Sequence, residues 1–419
     1  MKNLLILAIL LIVFQSCTKT KQDYLKENRF DLNSASFNFP QDNFKILGFG
    51  GYHGSAKTEE VELLLLEDLL NAKTIKYYLP ETDFSIAHYF NKFLKTGDTL
   101  LLKDLVINSG IRVKQERTIQ MYNKWKALKK INDSFDEKDR LIVVGVDYQI
   151  NYKYASRHIL ELVNNTDQSL PYIQDIQNMV DVDTTTYARG DLSFAYHKLK
   201  ALTDDYESNK ALYTNKISDV KVFEHIITNF KTTVGNSTPE REQVMYDNYL
   251  ALSKFYDFKN NPQFLRMGFS HICKSREGAE GYPYFFTRLV ENEIYKTEDV
   301  ISVMAYFTDS EVVWDELYNE NGDYKGFTTE AGFGIGDYEK EYFRGIQNLK
   351  QTKLSDKTLF SLNATNTLYA DHNPDLIDVI MTDEKSNTEA VNGQSTVDFI
   401  DYAVLISNSE ASTPIYEMK

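Results

Sequence analysis

Apolar residues along this chain follow two rhythms. Four short runs are apolar at consecutive positions and do not alternate cleanly: "KILGFG" (45–50), "IKYYLP" (75–80), "RLIVVGV" (140–146) and "QFLRMGFS" (263–270). Such runs suit strands covered on both faces. After each of the first three the pattern shifts to the helical period. "KTEEVELLLLEDLLNA" has acidic residues in its first turn and a continuous apolar stripe, and "FSIAHYFNKFL" and "YKYASRHILELVNN" read the same way. The alternation of strand and helix predicts an α/β fold, a mainly parallel central sheet flanked by crossover helices.

From about 150 to 260 the strand signal gives way to helical segments, "PYIQDIQNMVDV", "LSFAYHKLKALTDDYESNKALY", "VKVFEHIITNFKTTV" and "REQVMYDNYLALSKFYDF", broken by the loops "NNTDQSLP" and "GNSTPE". These predict a helical insert or cap on the sheet. Near the end, "DLIDVIMT" and "STVDFIDYAVLISNS" predict strands that complete the sheet.

Composition narrows the function. The chain has 419 residues, 42% of them hydrophobic, enough for one large α/β domain or two domains. A net charge of −15, with no long basic run, argues against nucleic-acid binding. Lys2, an apolar run from Leu4 to Phe14, and Cys17 make a signal-peptide layout, too short for a comfortable membrane span. It resembles a bacterial lipobox, with Phe14 where that pattern prefers leucine. The expected organisation is a signal peptide over 1–17 with lipid on Cys17, a polar tether over 18–40, and an α/β domain over 41–419 with its insert at 151–260. That implies a bacterial envelope protein, lipid-anchored on the periplasmic or cell-surface side, whose other partner is a small molecule. Cys273 is the one remaining cysteine, so neither an internal disulfide nor a cysteine-based zinc site is expected.

Chemistry enters at the ends of the four runs. The first leads into Gly50, Gly51, Tyr52 and His53, the second into Glu81, the third into Asp147 and the fourth into His271. Ligands of open parallel sheets bind beyond the carboxyl ends of the strands. If the four runs share one sheet, these side chains meet at one rim. The glycines beside His53 suit a sharp turn, and the helix that follows offers free N–H groups to an anion. His53 can take a proton from water, a carboxylate can orient it, and His271 can stabilise an oxyanion. Two histidines and two carboxylates could instead hold a metal, although no compact ligand signature is present and no cofactor is expected. Glu81 and Asp147 could also simply cap helices, and His271 could satisfy backbone groups. His88, His158, His197 and His225 lie in helical patterns and are expected at the surface or in the core. His372 lies in a turn-rich loop.

The ordered set "GFGGYHGSAKTEEVELLLLEDLL", "IKYYLPETDFSIAHYFNKFL", "LIVVGVDYQ", "REQVMYDNYLAL" and "FLRMGFSHICKS" resembles the erythromycin esterase-like family over about residues 45–275. That family runs G-E-x-x-H-G, a strand ending in glutamate, a G-hydrophobic-D strand end, an R-D/E-x-x-M-x-x-N helix and H-N-x-H. The resemblance implies that His53 is the general base, that Glu81, Asp147 and His271 complete the catalytic set, and that Arg241, Met245 and Asn248 match the helix motif. Gly51, Tyr52, Ser55 and Arg241 are expected to face the substrate. Three positions depart from the pattern. The family glutamate falls on Gly50, the first histidine of H-N-x-H falls on Gly268, and Glu59, Glu60 and Glu62 occupy the first helix where an arginine is expected. The implied activity is hydrolysis of an ester or lactone-like bond; the alternative is a lipoprotein that binds haem, a metal or a small molecule without chemistry.

Overall fold

A computed structural model describes residues 19–110, 113–149, 151–163, 170, 172–180, 194–233, 240–331 and 337–418. Its strands in chain order are β1 (Arg29–Asp31), β2 (Ile46–Gly50), β3 (Tyr77–Leu79), β4 (Ile142–Val143), β5 (Gln263–Met267), β6 (Val300–Thr308), β7 (Glu311–Tyr318), β8 (Tyr324–Ala331), β9 (Glu341–Phe343), β10 (Lys357–Ser361), β11 (Val379–Met381) and β12 (Tyr402–Ser407). Eight form the central sheet in the order β1-β10-β12-β6-β2-β5-β3-β4. Pairing is parallel from β12 through β4, and only the β1–β10 and β10–β12 pairs are antiparallel. The α/β fold with a mainly parallel sheet is as the sequence predicts.

The absence of alternation in the strand sequences follows from burial. Every residue of β2, β5, β6 and β12 is buried. Leu47 and Phe49 pack on one face against the helices Ala56–Asn71, Phe84–Thr96, Thr99–Ser109 and Ile119–Asp133. On the other face Ile46 meets the insert helices, while Gly48 and Gly50 yield their space to neighbours. A Cβ would stand 2.6 Å from the Phe286 ring at position 48 and 2.7 Å from Ile272 at position 50.

Between β4 and β5 the described residues form the helices Tyr152–Leu162, Ile173–Met179, Phe194–Ser208, Lys210–Thr214, Val220–Thr233 and Arg241–Tyr256, the expected insert. Two readings need correction. Of the expected tether over 18–40, residues 19–40 are not free: Thr20 closes a capping box on the helix Lys21–Glu27, Tyr24 and Leu25 are fully buried, and β1 joins the sheet edge. The apolar content of "DYL" is small but is placed on one helix face. The run "DLIDVIMT" yields β11, which pairs with β9 outside the main sheet. "STVDFIDYAVLISNS" does join it, as a short helix Thr396–Phe399 followed by β12. The central strand β6, "VISVMAYFT", is an addition to the four runs and carries the same non-alternating apolar signal.

Candidate functional site

The parallel register brings the ends of β2, β3, β4 and β5 to one rim, and His53, Glu81, Asp147 and His271 converge there. Gly54 makes the turn after His53. Its φ of +84° lies in the left-handed region that glycine tolerates, and its carbonyl accepts N–H bonds from Val313 and Ser412. Gly145 lets β4 approach β3, since a Cβ there would lie 2.1 Å from the Asp83 carbonyl oxygen. That approach sets Asp147, whose N–H donates to Thr82 O at 3.2 Å.

Arg241, at the start of its helix, ties three of the four together. Its Nε donates to Asp147 Oδ1 at 3.1 Å and its Nη2 to Asp147 Oδ2 at 2.8 Å. Nη2 also donates to Glu81 Oε1 at 2.7 Å, and Nη1 lies 2.9 Å from His271 Nε2. Burial opposes the guanidinium charge, but Asp147 and Glu81 outweigh it and hold the pKa well above the usual range. His271 Nδ1 stands 2.7 Å from Glu242 Oε1, next along the same helix. Nε2 faces Arg241, while the buried Nδ1 lies within ion-pair distance of Glu242 and makes no hydrogen bond among the described residues. With Nε2 accepting from Arg241, the ring orients the guanidinium, and its Nδ1 is buried on the Glu242 side. Asp147, fully buried, likewise acts on Arg241 and caps no helix.

His53 is held differently. Its Nδ1 lies 2.8 Å from Glu116 Oε1, while Nε2 stands 3.7 Å from Glu81 Oε2, beyond hydrogen-bond distance. Burial pushes the Glu116 carboxyl up, yet the attraction and hydrogen bond of His53 outweigh it, with Arg266 helping, so the net shift is downward. Glu116 closes a short helical turn, Lys114–Glu116, and was missed by the sequence reading. It brings a carboxylate to His53 from an element other than the turn that carries Gly50. Gly268 donates its N–H to Glu81 Oε2 at 3.0 Å. A Cβ on Gly268 would lie 3.9 Å from His53 Nε2 and 3.9 Å from His271 Nε2, so the missing side chain leaves a gap between the two rings.

Behind the rim, Lys124 pairs with Glu59 at 2.7 Å and Glu62 at 2.8 Å, Tyr78 donates to Glu62, and Arg266 Nε lies 3.5 Å from Glu62. Glu59 and Glu62 are therefore buried partners of cations from other elements, whereas exposed Glu60 pairs with Lys357 at 2.7 Å. The two buried cations, Arg266 and Lys124, come from β5 and the helix Ile119–Asp133, not from the first helix.

The remaining expectations divide. Gly51 donates to Met267 O at 3.3 Å, and a Cβ there would meet Thr58 at 2.8 Å. Tyr52 packs on Phe307 at the rim, and burial with nearby Glu341 pushes its hydroxyl up to about 12. Ser55 is buried and donates to Ser409 Oγ at 2.7 Å, so it turns away from the rim. The helix after it offers no open anion site in its first amides, because Ala56 donates to Glu410 O and Lys57 to Ser409 Oγ. Cys17 lies outside the described residues. Among those residues no group of three or more histidine, cysteine, aspartate or glutamate side chains is arranged to hold a metal ion, and Glu81 and Asp147 both face a guanidinium.

A parallel α/β sheet with a helical insert and a histidine–carboxylate rim defines the class. Among solved structures, the chain is similar to a Bacillus cereus protein (TM-score 0.62, 16% identity, covering 94% of this chain and 98% of that one). It is similar to a succinoglycan biosynthesis protein (TM-score 0.60, 13% identity, 95% and 99%) and to a mutant of erythromycin esterase EreC in its open conformation (TM-score 0.57, 12% identity, 89% and 92%). No family model and no curated protein matches the sequence. The chain thus has the erythromycin esterase-like fold, as its motif order suggested.

Proposed function

We propose that this protein is an envelope-anchored hydrolase that cleaves an ester or lactone-like bond of a small molecule with water activated by His53. The observation that carries this reading is the His53–Glu116 pair. A carboxylate accepting from Nδ1–H fixes the tautomer and leaves the Nε2 lone pair facing the gap beside Gly268. In the step proposed, a water oxygen bonds to the substrate carbonyl carbon while Nε2 takes its proton. The carbonyl oxygen becomes an oxyanion, then the carbon–oxygen bond to the leaving group breaks. The imidazolium returns the proton to the departing alkoxide. Arg241 has five N–H donors and makes four of the bonds described above, so one Nη1–H remains for the oxyanion. Glu81 keeps Arg241 in place and receives the Gly268 amide. Lipid on Cys17 would hold the enzyme at the bacterial envelope.

The test is turnover of a chromogenic ester and lactone panel by the wild type, His53→Ala and Glu116→Gln. General-base catalysis of this kind contributes about 10²–10⁴-fold, so His53→Ala should lose a factor in that range and Glu116→Gln a smaller one. Equal rates in all three would remove the hydrolase reading. A second reading, ligand binding without chemistry, is favoured by Gly268, which stands where the family pattern has an imidazole. A silent panel, together with a stoichiometric ligand that is lost in His53→Ala, would establish it.

A further inference from the structure

Arg266 is a buried cation that the proposed reaction does not use. It projects from β5 at 3% exposure, and its Nη1 donates to Met267 O at 2.7 Å. Among the described residues its Nη2 is buried without a hydrogen-bond partner, and so is Thr82 Oγ1. Both residues line one cavity of about 20 Å³, together with Glu81, Glu116, Ser109, Lys124 and apolar walls that include Trp125 and Met121. A water site needs roughly 10–15 Å³ and two to four polar partners. This cavity meets both requirements, and it lies between the two carboxylates that flank His53.

We propose that this cavity is a structural water site through which Arg266 positions the carboxylates of Glu81 and Glu116 on either side of His53. The water accepts from Arg266 Nη2–H and donates to the two carboxylates, with the Thr82 hydroxyl as a further partner. Arg266 is thus a positioning residue. It supplies positive charge to a cluster of carboxylates, Glu59, Glu62, Glu81, Glu116 and Asp147, alongside Lys124 and Arg241. Two pKa directions agree with this placement. Burial pushes Arg266 down, but Glu62, Glu59, Glu116 and Glu81 together hold it up, and Arg266 is among the groups that pull Glu116 down.

The positional part rests on the molecule alone, and the kinetic part rests on the hydrolase reading; two measurements separate them. A high-resolution crystal structure of the full chain should show a water within hydrogen-bond distance of Arg266 Nη2 and of a Glu81 or Glu116 oxygen. A side chain collapsed into the space, or no density there, would overturn the site. The second measurement is the pH profile of ester turnover in wild type, Arg266→Met and Arg266→Lys. Loss of the positive charge makes Glu116 easier to protonate, so the acid limb should move to higher pH by about one unit in Arg266→Met. Arg266→Lys keeps the charge and should hold the limb near its original place. A Met variant that loses turnover equally at every pH, or a Lys variant that shifts as far as Met, would reduce Arg266 to packing. If the panel is silent while the water is in place, the water site stands and the hydrolase reading falls.

Discussion

Two glycines at the rim answer different constraints, and a methyl group distinguishes them. At Gly145 the added Cβ meets the Asp83 carbonyl oxygen at 2.1 Å, a backbone atom in the adjoining strand end that cannot step aside. At Gly268, with φ −62°, the contacts begin at 3.5 Å from the His271 ring, which is ordinary packing. Gly145→Ala should therefore destabilise by about 3 kcal/mol or more, at or above the upper end of typical overpacking penalties. Gly268→Ala should fold with little change in Tm while narrowing the gap between the rings. Thermal unfolding of the two variants checks this, and similar Tm losses in both would contradict it. At this scale much of the site was legible. His53, Glu81, Asp147, Arg241 and His271 each follow a strand or begin a helix, where the motif order puts them. Glu116 was not legible. It lies 63 positions from its imidazole partner, in a three-residue turn with no periodicity, and only folding brings the two together. Ser55 failed for a related reason: its neighbours in sequence are at the rim, but its hydroxyl is turned to Ser409.

At the scale of elements, the insert was predicted, but not the way it is seated. His158 on the helix Tyr152–Leu162 stacks on His88 of the helix Phe84–Thr96, with ring centres 3.9 Å apart. Phe84 stacks on His158 from one side and takes His225, of the helix Val220–Thr233, edge-on at 4.7 Å. Phe255, on the helix that carries Arg241, completes the seam against His225. The sequence expectation of surface or core histidines is met by a place at the joint between body and insert. Burial drives the His158 pKa down to about 3, with His88 and His225 adding to it and Glu161 opposing, and burial alone takes His225 down to about 4. Both rings are held neutral in the fold, while in the unfolded chain they titrate near 6.5. Their contribution is therefore intact above pH 6.5 and is lost progressively as pH falls towards 4 and then 3. At pH 5 each ring should cost about 2 kcal/mol of stability. Urea unfolding at pH 7 and pH 5 should show that loss, and His158→Phe should recover roughly half of it. A variant with the same acid sensitivity as wild type would rule out the seam as its source. Because the insert delivers Arg241 and Glu242, loosening of the seam should also disturb the rim.

For the whole molecule, the segment ahead of the first long strand changes the picture most. Composition alone reads 18–40 as a polar tether, because Tyr24, Leu25, Phe30, Leu32, Phe37 and Phe39 are the only large apolar side chains among its residues. The structure buries Tyr24, Leu25, Leu32 and Phe39 and half-buries Phe30 and Phe37. Tyr24 packs on Tyr369 with ring centres 5.9 Å apart, Lys21 pairs with Asp371 at 3.0 Å and Asp375 at 2.9 Å, and β1 covers the edge of β10. Burying Tyr24 and Leu25 stabilises by roughly 1.5–3 kcal/mol each, and removing β1 would leave the backbone groups of β10 open to other chains. If lipid is attached to Cys17, the residues up to the helix cap at Thr20 can span only about 10 Å, so the body is held close to the bilayer instead of on a long leash. Deleting 19–31 should therefore lower Tm by many degrees and promote aggregation, whereas a Gly/Ser spacer inserted after Thr18 should leave Tm unchanged while lengthening the reach. Scanning calorimetry of the two soluble chains, each without its first 17 residues, makes the comparison. A deletion as stable as its parent would return the segment to the role of a tether, and the body would then be free to stand off the membrane.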